Sequence, residues 1–506
     1  MKRCGEPGIE RQVFMLTKTP FLAGFSALLC GRSKRKMQEV LAQERRAISE
    51  RSPDGLCRQL GSEIPPEFLS GHRTTQRNRV YPNEVTFWAF LSQIFSDDGS
   101  CARAVARVQQ WMRSKKLPVP SSSTSSYSQA RQDLPVEMLQ EVNNSLCRQL
   151  DRALSEDDLW RGFRVKAVDG TSAQMPDTPE NQQEYPQPES QAPGCGFPVI
   201  KLVGLIDLSH GGLRDFSSGK VESGELRGFD QLEAYLGEGD LLAADRLYSS
   251  YEGVARLKQK GVQFVGRNHQ ARKMDFRSGK KIGPNERIQV WKKPRQQPAL
   301  SRLSAQEWEQ LPGQMEMRII RTKGLDREGK TRVRYVVTTL LDAAKYPWEE
   351  VASLYLHRWE IELRFRDIKT TMGMEMLRTK SPSMVRKEVL MHMIAYNVVR
   401  LLMLKAGKAH GVNHRRISFK GVIQVLEESR VGFEKALEKP WLLEAEKQNL
   451  WARIAERVVV ERPGRAEPRK KKRRPKSYGW LQKPRHSFFE YYRNENPPRK
   501  ILDEAA

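Results

Sequence analysis

The chain has 506 residues, room for several domains and a sizeable core. It carries 87 Lys and Arg against 61 Asp and Glu, a formal net charge of +26, and an excess of that size points to a polyanionic partner, foremost nucleic acid. Six cysteines lie scattered with no CxxC pair and no zinc-ligand spacing, and no run of eighteen apolar residues occurs. A disulfide scaffold, a zinc module and a membrane span are therefore not expected, and a cytoplasmic setting is.

Residues 1–75 carry no pattern that assigns them. The apolar stretch FLAGFSALLC at 21–30 sits too deep for a signal peptide and reads as a short buried helix; Met37 opens a cleaner helical sequence and is an alternative start. Residues 76–160 read as a basic helical region. NEVTFWAFLSQIF (83–95) has helical spacing, and SCARAVARVQQWMRSKK (100–116) is amphipathic with Val105, Val108 and Trp111 toward one side. Such a region can grip duplex DNA, although a plain helical bundle has the same pattern.

From 161 to 267 the character changes. FRVKAVDGT is a short strand ending at Asp169, where Gly170 is expected to turn the backbone at once. VIKLVGLIDL (199–208) and GLRDFSSG (212–219) form two strands joined by a tight turn, and GFDQLEAYL is a helix. DLLAADRLY (240–248) is an apolar strand closing on Asp245, SYEGVARLKQKG is a helix, and VQFVGR (262–267) is another strand. That order predicts a mixed sheet with helices packed on it. The segment 176–198 holds six prolines and is too long for a routine connection, so it is either a disordered surface loop or a functional flap.

Residues 268–345 alternate as strands with basic turns and read as an all-β insertion. Over 346–405 the helical pattern returns, ending in SMVRKEVLMHMIAYNVVRLLML, an apolar helix expected in the core. The last region, 406–506, is helical and basic; nine of the fifteen residues from Arg462 to Lys476 are Lys or Arg, which suits phosphate contact and equally a solvated tail.

The chemistry rests on three acids. Adjacent strands ending together would bring Asp169 and Asp245 to one rim of the sheet. YLHRWEIELRFRDIK (355–369), wound at the α-helical period, puts Tyr355, Arg358, Glu362 and Lys369 in one narrow polar stripe between apolar flanks; His357, Glu360, Arg364 and Asp367 take the opposite face. A polar stripe so flanked is expected to pack beside the rim and bring Glu362 to the two aspartates. Each acid alone is more simply a turn former or an ion-pair partner; it is the set that points to chemistry. Three close carboxylates need cations, and two Mg²⁺ ions would satisfy them and clamp the oxygens of a phosphodiester, with Mn²⁺ able to substitute. Tyr355, Arg358 and Lys369 would hold flanking phosphates.

The spacing Y-(2)-R-(3)-E-(6)-K at Tyr355, Arg358, Glu362 and Lys369, with VDGT and ADRLY upstream, resembles the signature of the IS4-type DDE transposases. The resemblance runs from about 80 to 480. It implies an α/β fold with an RNase H-like catalytic core in two parts (161–267 and 346–405) interrupted by the β-rich insertion. It implies a helical N-terminal DNA-binding region and excision and insertion of a DNA element by two-metal phosphoryl transfer. By position, Asp169, Asp245 and Glu362 would be the metal-binding triad, and Tyr355, Arg358 and Lys369 the contacts to the element's end. In known members an aromatic residue of the insertion stacks near a flipped base; Trp291 is the first candidate here and Trp308 the second, although core packing suits either. The partners implied are duplex DNA with terminal inverted repeats, target DNA, and a second copy of the chain in a synaptic dimer. Two alternatives remain at this stage: a DNA-binding protein without catalysis, and an RNase H-like nuclease that cuts without joining.

The basic tail gives a first prediction. Replacing Lys470, Lys471, Lys472, Arg473 and Arg474 with Gln should flatten the slope of log K against log salt for DNA binding by about 0.9 for each phosphate that the tail no longer neutralises. A titration showing an unchanged slope would separate the tail from DNA altogether.

Overall fold

The computed structural model describes residues 56–70, 80–114, 116–269, 272, 274–299, 301–325, 331–460, 481, 483 and 484. The segment 21–30, Met37 and the basic run 462–476 lie outside the described residues. Two compact units form. One draws on residues up to 155, on His210–Gly212 and on Lys387–Val459; the other on Glu156–Ser209 and Leu213–Arg386.

The first unit is helical. Its N-terminal part comprises α1 (Leu56–Leu60), α2 (Pro66–Ser70), α3 (Asn83–Ile94), α4 (Cys101–Ser114), α5 (Ser125–Asp133) and α6 (Val136–Arg152). Val105, Val108 and Trp111 of α4 are buried together with Tyr81, Val85 and Tyr127. The Arg131 guanidinium lies 5.0 Å from the Phe90 ring centroid and 5.2 Å from that of Tyr127, so this small core is closed partly by cation–π contact.

The second unit is built on one sheet. Its elements are β1 (Arg164–Gln174), α7 (Pro179–Glu184), β2 (Val199–Asp207), β3 (Leu213–Gly219), α8 (Glu225–Leu232), β4 (Asp240–Ala244), α9 (Tyr251–Gln259), β5 (Gln263–Arg267), β6 (Lys280–Gly283), β7 (Glu286–Lys292), α10 (Ala305–Glu309), β8 (Gln314–Leu325) and β9 (Thr331–Thr338). Helices α11 (Trp348–His357) and α12 (Glu360–Arg366) follow. The nine strands run in the order β3-β2-β1-β4-β5-β9-β8-β7-β6, and β1, β4 and β5 are mutually parallel. Segment 268–345 therefore continues the same sheet, since β9 pairs directly with β5 at Val265↔Thr338. It also holds the short helix α10, whose start is fixed by a capping box between Ser304 and Glu307.

The chain ends its described part with α13 (Pro382–Ala409), α14 (Phe419–Glu438) and α15 (Leu443–Ala455). Helix α13 is long and apolar enough to cross a bilayer, but 89% of its apolar stretch is buried inside the protein, as expected for a core helix.

Two local expectations change. Gly170 does not turn the chain: β1 runs on to Gln174 because β2 keeps pairing with it, through Gly170↔Val203 to Gln174↔Val199. What stops near Asp169 is the pairing with β4, whose last register pair is Val168↔Ala244. The proline-rich segment 176–198 is folded rather than disordered. Thr178 caps α7, buried Asn181 donates to the carbonyls of Pro176 and Thr379, and Gln182 reaches the Gly196 carbonyl. Side-chain amides thus satisfy a backbone that prolines bar from a ladder.

The strands added beyond β5 are fastened by a buried ion pair. Arg318, fully buried on β8, donates to the Glu286 carboxylate (Nε–Oε2 2.7 Å) and to the Tyr346 carbonyl at 2.7 Å. Breaking such a pair from one side leaves a buried charge and costs about 3–5 kcal/mol. Arg318→Met should therefore lower the urea midpoint of the full chain by a correspondingly large step. The double variant Arg318→Met with Glu286→Leu should recover most of the loss.

Candidate active site

The site starts from sheet register. Residues aligned in a parallel ladder point their side chains to the same face. Asp169 and Asp245 are each the next residue after the last paired positions, and Asp245 stays extended (φ −74°, ψ 171°). The two carboxylates therefore stand side by side where β4 ends. They line a cavity of about 260 Å³ together with Glu225, Arg246, Tyr248 and His269.

Asp169 is held on two sides. Its Oδ1 accepts from the Gly170 N–H at 2.8 Å, and its Oδ2 lies 3.4 Å from Arg358 Nη1. Its pKa is raised nonetheless: burial disfavours the charged form most, the Gly170 N–H and Arg358 oppose this, and the Glu225 and Asp245 charges add to the rise. Burial, then nearby acids, also raise the Tyr248 hydroxyl. A cavity lined by three carboxylates, with Arg246 and His269 beside them, offers hard oxygens to a divalent cation.

The stretch 355–369 is not one regular helix. Successive N–H groups of Arg358, Trp359, Ile361 and Glu362 bond three residues back rather than four, so the helix tightens between α11 and α12. It then loosens into a π turn at Asp367–Thr371. The stripe drawn at a constant period does not survive intact. Tyr355 and Arg358 reach the acids: Arg358 touches Asp169, and the Tyr355 pKa is raised by burial first, with Arg358 opposing and Asp245 adding. Glu362 is exposed on α12 and Lys369 is half-buried in the π turn. Among the described residues no hydrogen bond or ion pair joins either to Asp169 or Asp245. Helix α12 nevertheless crosses the sheet on the Asp169 face. Phe365, one turn after Glu362, packs over Gly204, the cross-strand partner of Asp169, and stacks on Phe216 at 6.0 Å. On the far side of α12, Glu360 is engaged by Arg364 at 3.0 Å and His357 at 2.9 Å.

Trp291 does not join this group. It is 5% exposed in the core beneath β7, with the Arg272 guanidinium 3.3 Å from its ring centroid, and Trp308 is 4% exposed in the same core. Neither ring offers a face to a base while it stays there. The exposed aromatic near the acids is Trp359, 43% exposed and 5.5 Å from the Arg358 guanidinium. Trp359 lines a groove of about 690 Å³ with Arg267, Arg321, Lys323, Arg334 and Arg358. Arg358 thus lines this basic groove and also contacts Asp169 of the acidic cavity. The sequence reading missed Arg267, Arg321, Lys323, Arg334 and Glu225. The cations on β8 and β9 lie in plain view as RIIRTKG and RVRY, but only the β8–β9 register, with Thr322↔Arg334 and Lys323↔Val333, makes them one surface.

Two carboxylates side by side where adjacent inner strands part, linked through Arg358 to a cationic groove, are an arrangement suited to metal-dependent chemistry on nucleic acid. Comparison with known proteins makes this specific: residues 160–398 match the family model for the transposase DDE domain. Over 359 residues the chain is 27% identical to the transposase InsG for insertion sequence element IS4 of Escherichia coli (strain K12), a match covering 68% of this chain and 76% of that protein. The chain belongs to the IS4-type DDE transposases. It is a DDE transposase, an enzyme that acts on DNA and uses divalent metal ions.

The raised pKa of Asp169 yields a test of this electrostatic picture. An acid whose folded pKa lies above its unfolded value destabilises the fold once ionised, and the penalty is relieved as pH falls through the folded pKa. Without metal, Asp169→Asn should melt higher than wild type at neutral pH. The gap should close as pH falls toward the ordinary aspartate range, about 4. Millimolar Mg²⁺ should raise the wild-type melting temperature and leave the variant almost unmoved.

Proposed function

We propose that this transposase cuts an insertion sequence at its terminal inverted repeats and joins it to target DNA by two-metal phosphoryl transfer in an RNase H-like core. Asp169, Asp245 and Glu362 are the metal-holding carboxylates, and Mg²⁺ is the working ion, with Mn²⁺ able to substitute. Bound divalent ions supply Lewis-acid charge stabilisation to the attacking and leaving oxygens. The observation that carries the reading is the alignment of Asp169 with Asp245 beyond the Val168↔Ala244 pair, with Arg358 linking Asp169 to a groove lined by five cations. The position of α12 over the partner strand of Asp169 supports Glu362 as the third acid.

The chain's own cations do the positioning. Arg358 neutralises Asp169 and forms one wall of the groove, so it can hold a phosphate next to the acids by a forked contact. Tyr355 lies in the same wall, and Arg267, Arg321, Lys323 and Arg334 extend it as backbone contacts along the duplex. Lys369 adds a point charge further along the helix. Trp359 offers a stacking face for an unpaired base at the element's end. A second copy of the chain is needed to bring two ends together, and the basic tail adds affinity without sequence preference.

Substitution separates these roles. Asp169→Ala, Asp245→Ala and Glu362→Ala should each depress both cleavage and strand transfer by several kcal/mol, roughly a thousand-fold or more, while binding to element-end DNA survives. Glu360→Ala, on the opposite side of α12, should do far less. Lys369→Ala should weaken end binding and leave Mn²⁺ affinity nearly intact, and Arg358→Ala should weaken end binding without weakening Mn²⁺ binding. Gel-shift, nicking and strand-transfer assays on one end substrate read all of these. Wild-type nicking by Glu362→Ala would remove it from the triad, and nicking without joining in the wild-type protein would favour a nuclease.

A further inference from the structure

Two glycines set helix α8 close to the sheet. A Cβ at Gly228 would meet Val203 Cγ2 at 2.6 Å and Ser217 Oγ at 2.5 Å, and a Cβ at Gly170 would fall 2.2 Å from Glu225 Oε1. Gly170 and Val203 are cross-strand partners, and successive residues of a strand point to opposite faces. So α8 lies on the face opposite α12, and Glu225, its first residue, lays its carboxylate over Gly170. The carboxylate then reaches the acidic cavity beside Asp169 and Asp245. The helix is pinned there: Asp230 is bound by Arg256 at 2.9 Å and Arg302 at 2.8 Å. Glu225 itself is matched by one charge, Lys201 Nζ at 2.7 Å, and both side chains are about one quarter exposed.

A separate observation points to a ligand in this cavity. The Tyr248 side chain, 3% exposed, lines it, and its buried hydroxyl has no hydrogen-bond partner among the described residues. A buried hydroxyl without a partner is costly, on the order of 1–3 kcal/mol, and a ligand oxygen or bound water in the cavity would supply one.

We propose that Glu225 is a fourth acidic arm of the metal site, entering from the opposite face of the sheet through the space Gly170 leaves, with Lys201 holding it until a divalent cation arrives. The proposal rests on Asp169 and Asp245 being the metal-holding acids. Glu225 lines the same cavity as Asp169 and Asp245, so its carboxylate faces the space that a cation held by those two acids would occupy. Lys201 competes with that cation for the same oxygens. The two partners of this ion pair should consequently have opposite effects on metal affinity.

Mn²⁺ binding to the full-length protein, measured calorimetrically without DNA, tests this directly. Glu225→Gln should weaken Mn²⁺ binding about 10- to 100-fold, the usual cost of losing a carboxylate that supports a metal site. It should raise the Mg²⁺ needed for half-maximal nicking by a similar factor, with nicking largely restored at saturating metal. Lys201→Gln should tighten Mn²⁺ binding. Asp245→Asn is the reference and should abolish it. Wild-type affinity in Glu225→Gln beside loss in Asp245→Asn would overturn the role of Glu225 and leave the triad standing. Wild-type affinity in both would bring down the triad reading as well. Equal weakening by Glu225→Gln and Lys201→Gln would mark the pair as structural and equally overturn the proposal.

Discussion

The parallel pairing of β1 with β4 is the constraint on which the candidate site depends. Its five register pairs, from Arg164↔Asp240 to Val168↔Ala244, fix how far the two strands run together. Because the ladder stops there, the next residue of each strand is released at the same height. Both residues are aspartates, and the rungs just before them, Ala167, Val168, Ala243 and Ala244, are apolar and fully buried, so the carboxylates emerge from a packed, low-dielectric base. Ionised side by side, the two carboxylates repel unless positive charge is supplied. Arg358 supplies part of it at 3.4 Å.

The rest of the second unit serves this rim. β1 does not end at Asp169 but continues along β2, so the Asp169 backbone is held on both sides of the carboxylate and the Gly170 N–H stays fixed to Oδ1. Beyond β5, the added strands β6–β9 carry the basic groove on the same sheet, and the buried Arg318–Glu286 pair locks β7 to β8 and to the chain entering α11. A shift in that hairpin would move Arg321, Lys323 and Arg334 relative to Tyr355 and Arg358 in one groove. Rigid joining of the strands thus sets the distance between the groove's cations and the acids, which is the quantity a phosphodiester positioned there would need.

Much of this was legible in the sequence, for identifiable reasons. VKAVDGT and LLAADRLY announced themselves as largely apolar strands carrying an acid, although the first runs on past Asp169 to Gln174, and the strand–helix alternation from 163 to 267 pointed to a mixed sheet, because both signals are local. The Y-(2)-R-(3)-E-(6)-K spacing located the right helical stretch, but helical-wheel geometry failed within it. A tight turn at 358–362 and a π turn at 367–371 change the phase twice, and no residue in EIELRFRDIK signals either. Trp291 was drawn to the site by its residue type alone; its burial follows from β7 pairing with β8, a contact between residues some twenty-four positions apart that periodicity does not carry.

Glu225 shows most clearly where such reading stops. In SGELRGFDQL it looks like an acid in the first turn of a helix, favourable to the helix dipole and in need of no other explanation. Its relation to Asp169 depends on two missing side chains, at Gly170 and Gly228, one on a strand and one on the helix. Neither glycine has the positive φ that would demand one for backbone reasons. What each provides is space for α8 to approach a single patch of sheet, so that a carboxylate on one face can lean toward two on the other. The glycine of VDGT, expected to turn a strand, instead leaves open the gap through which the two faces of the sheet meet at one cavity.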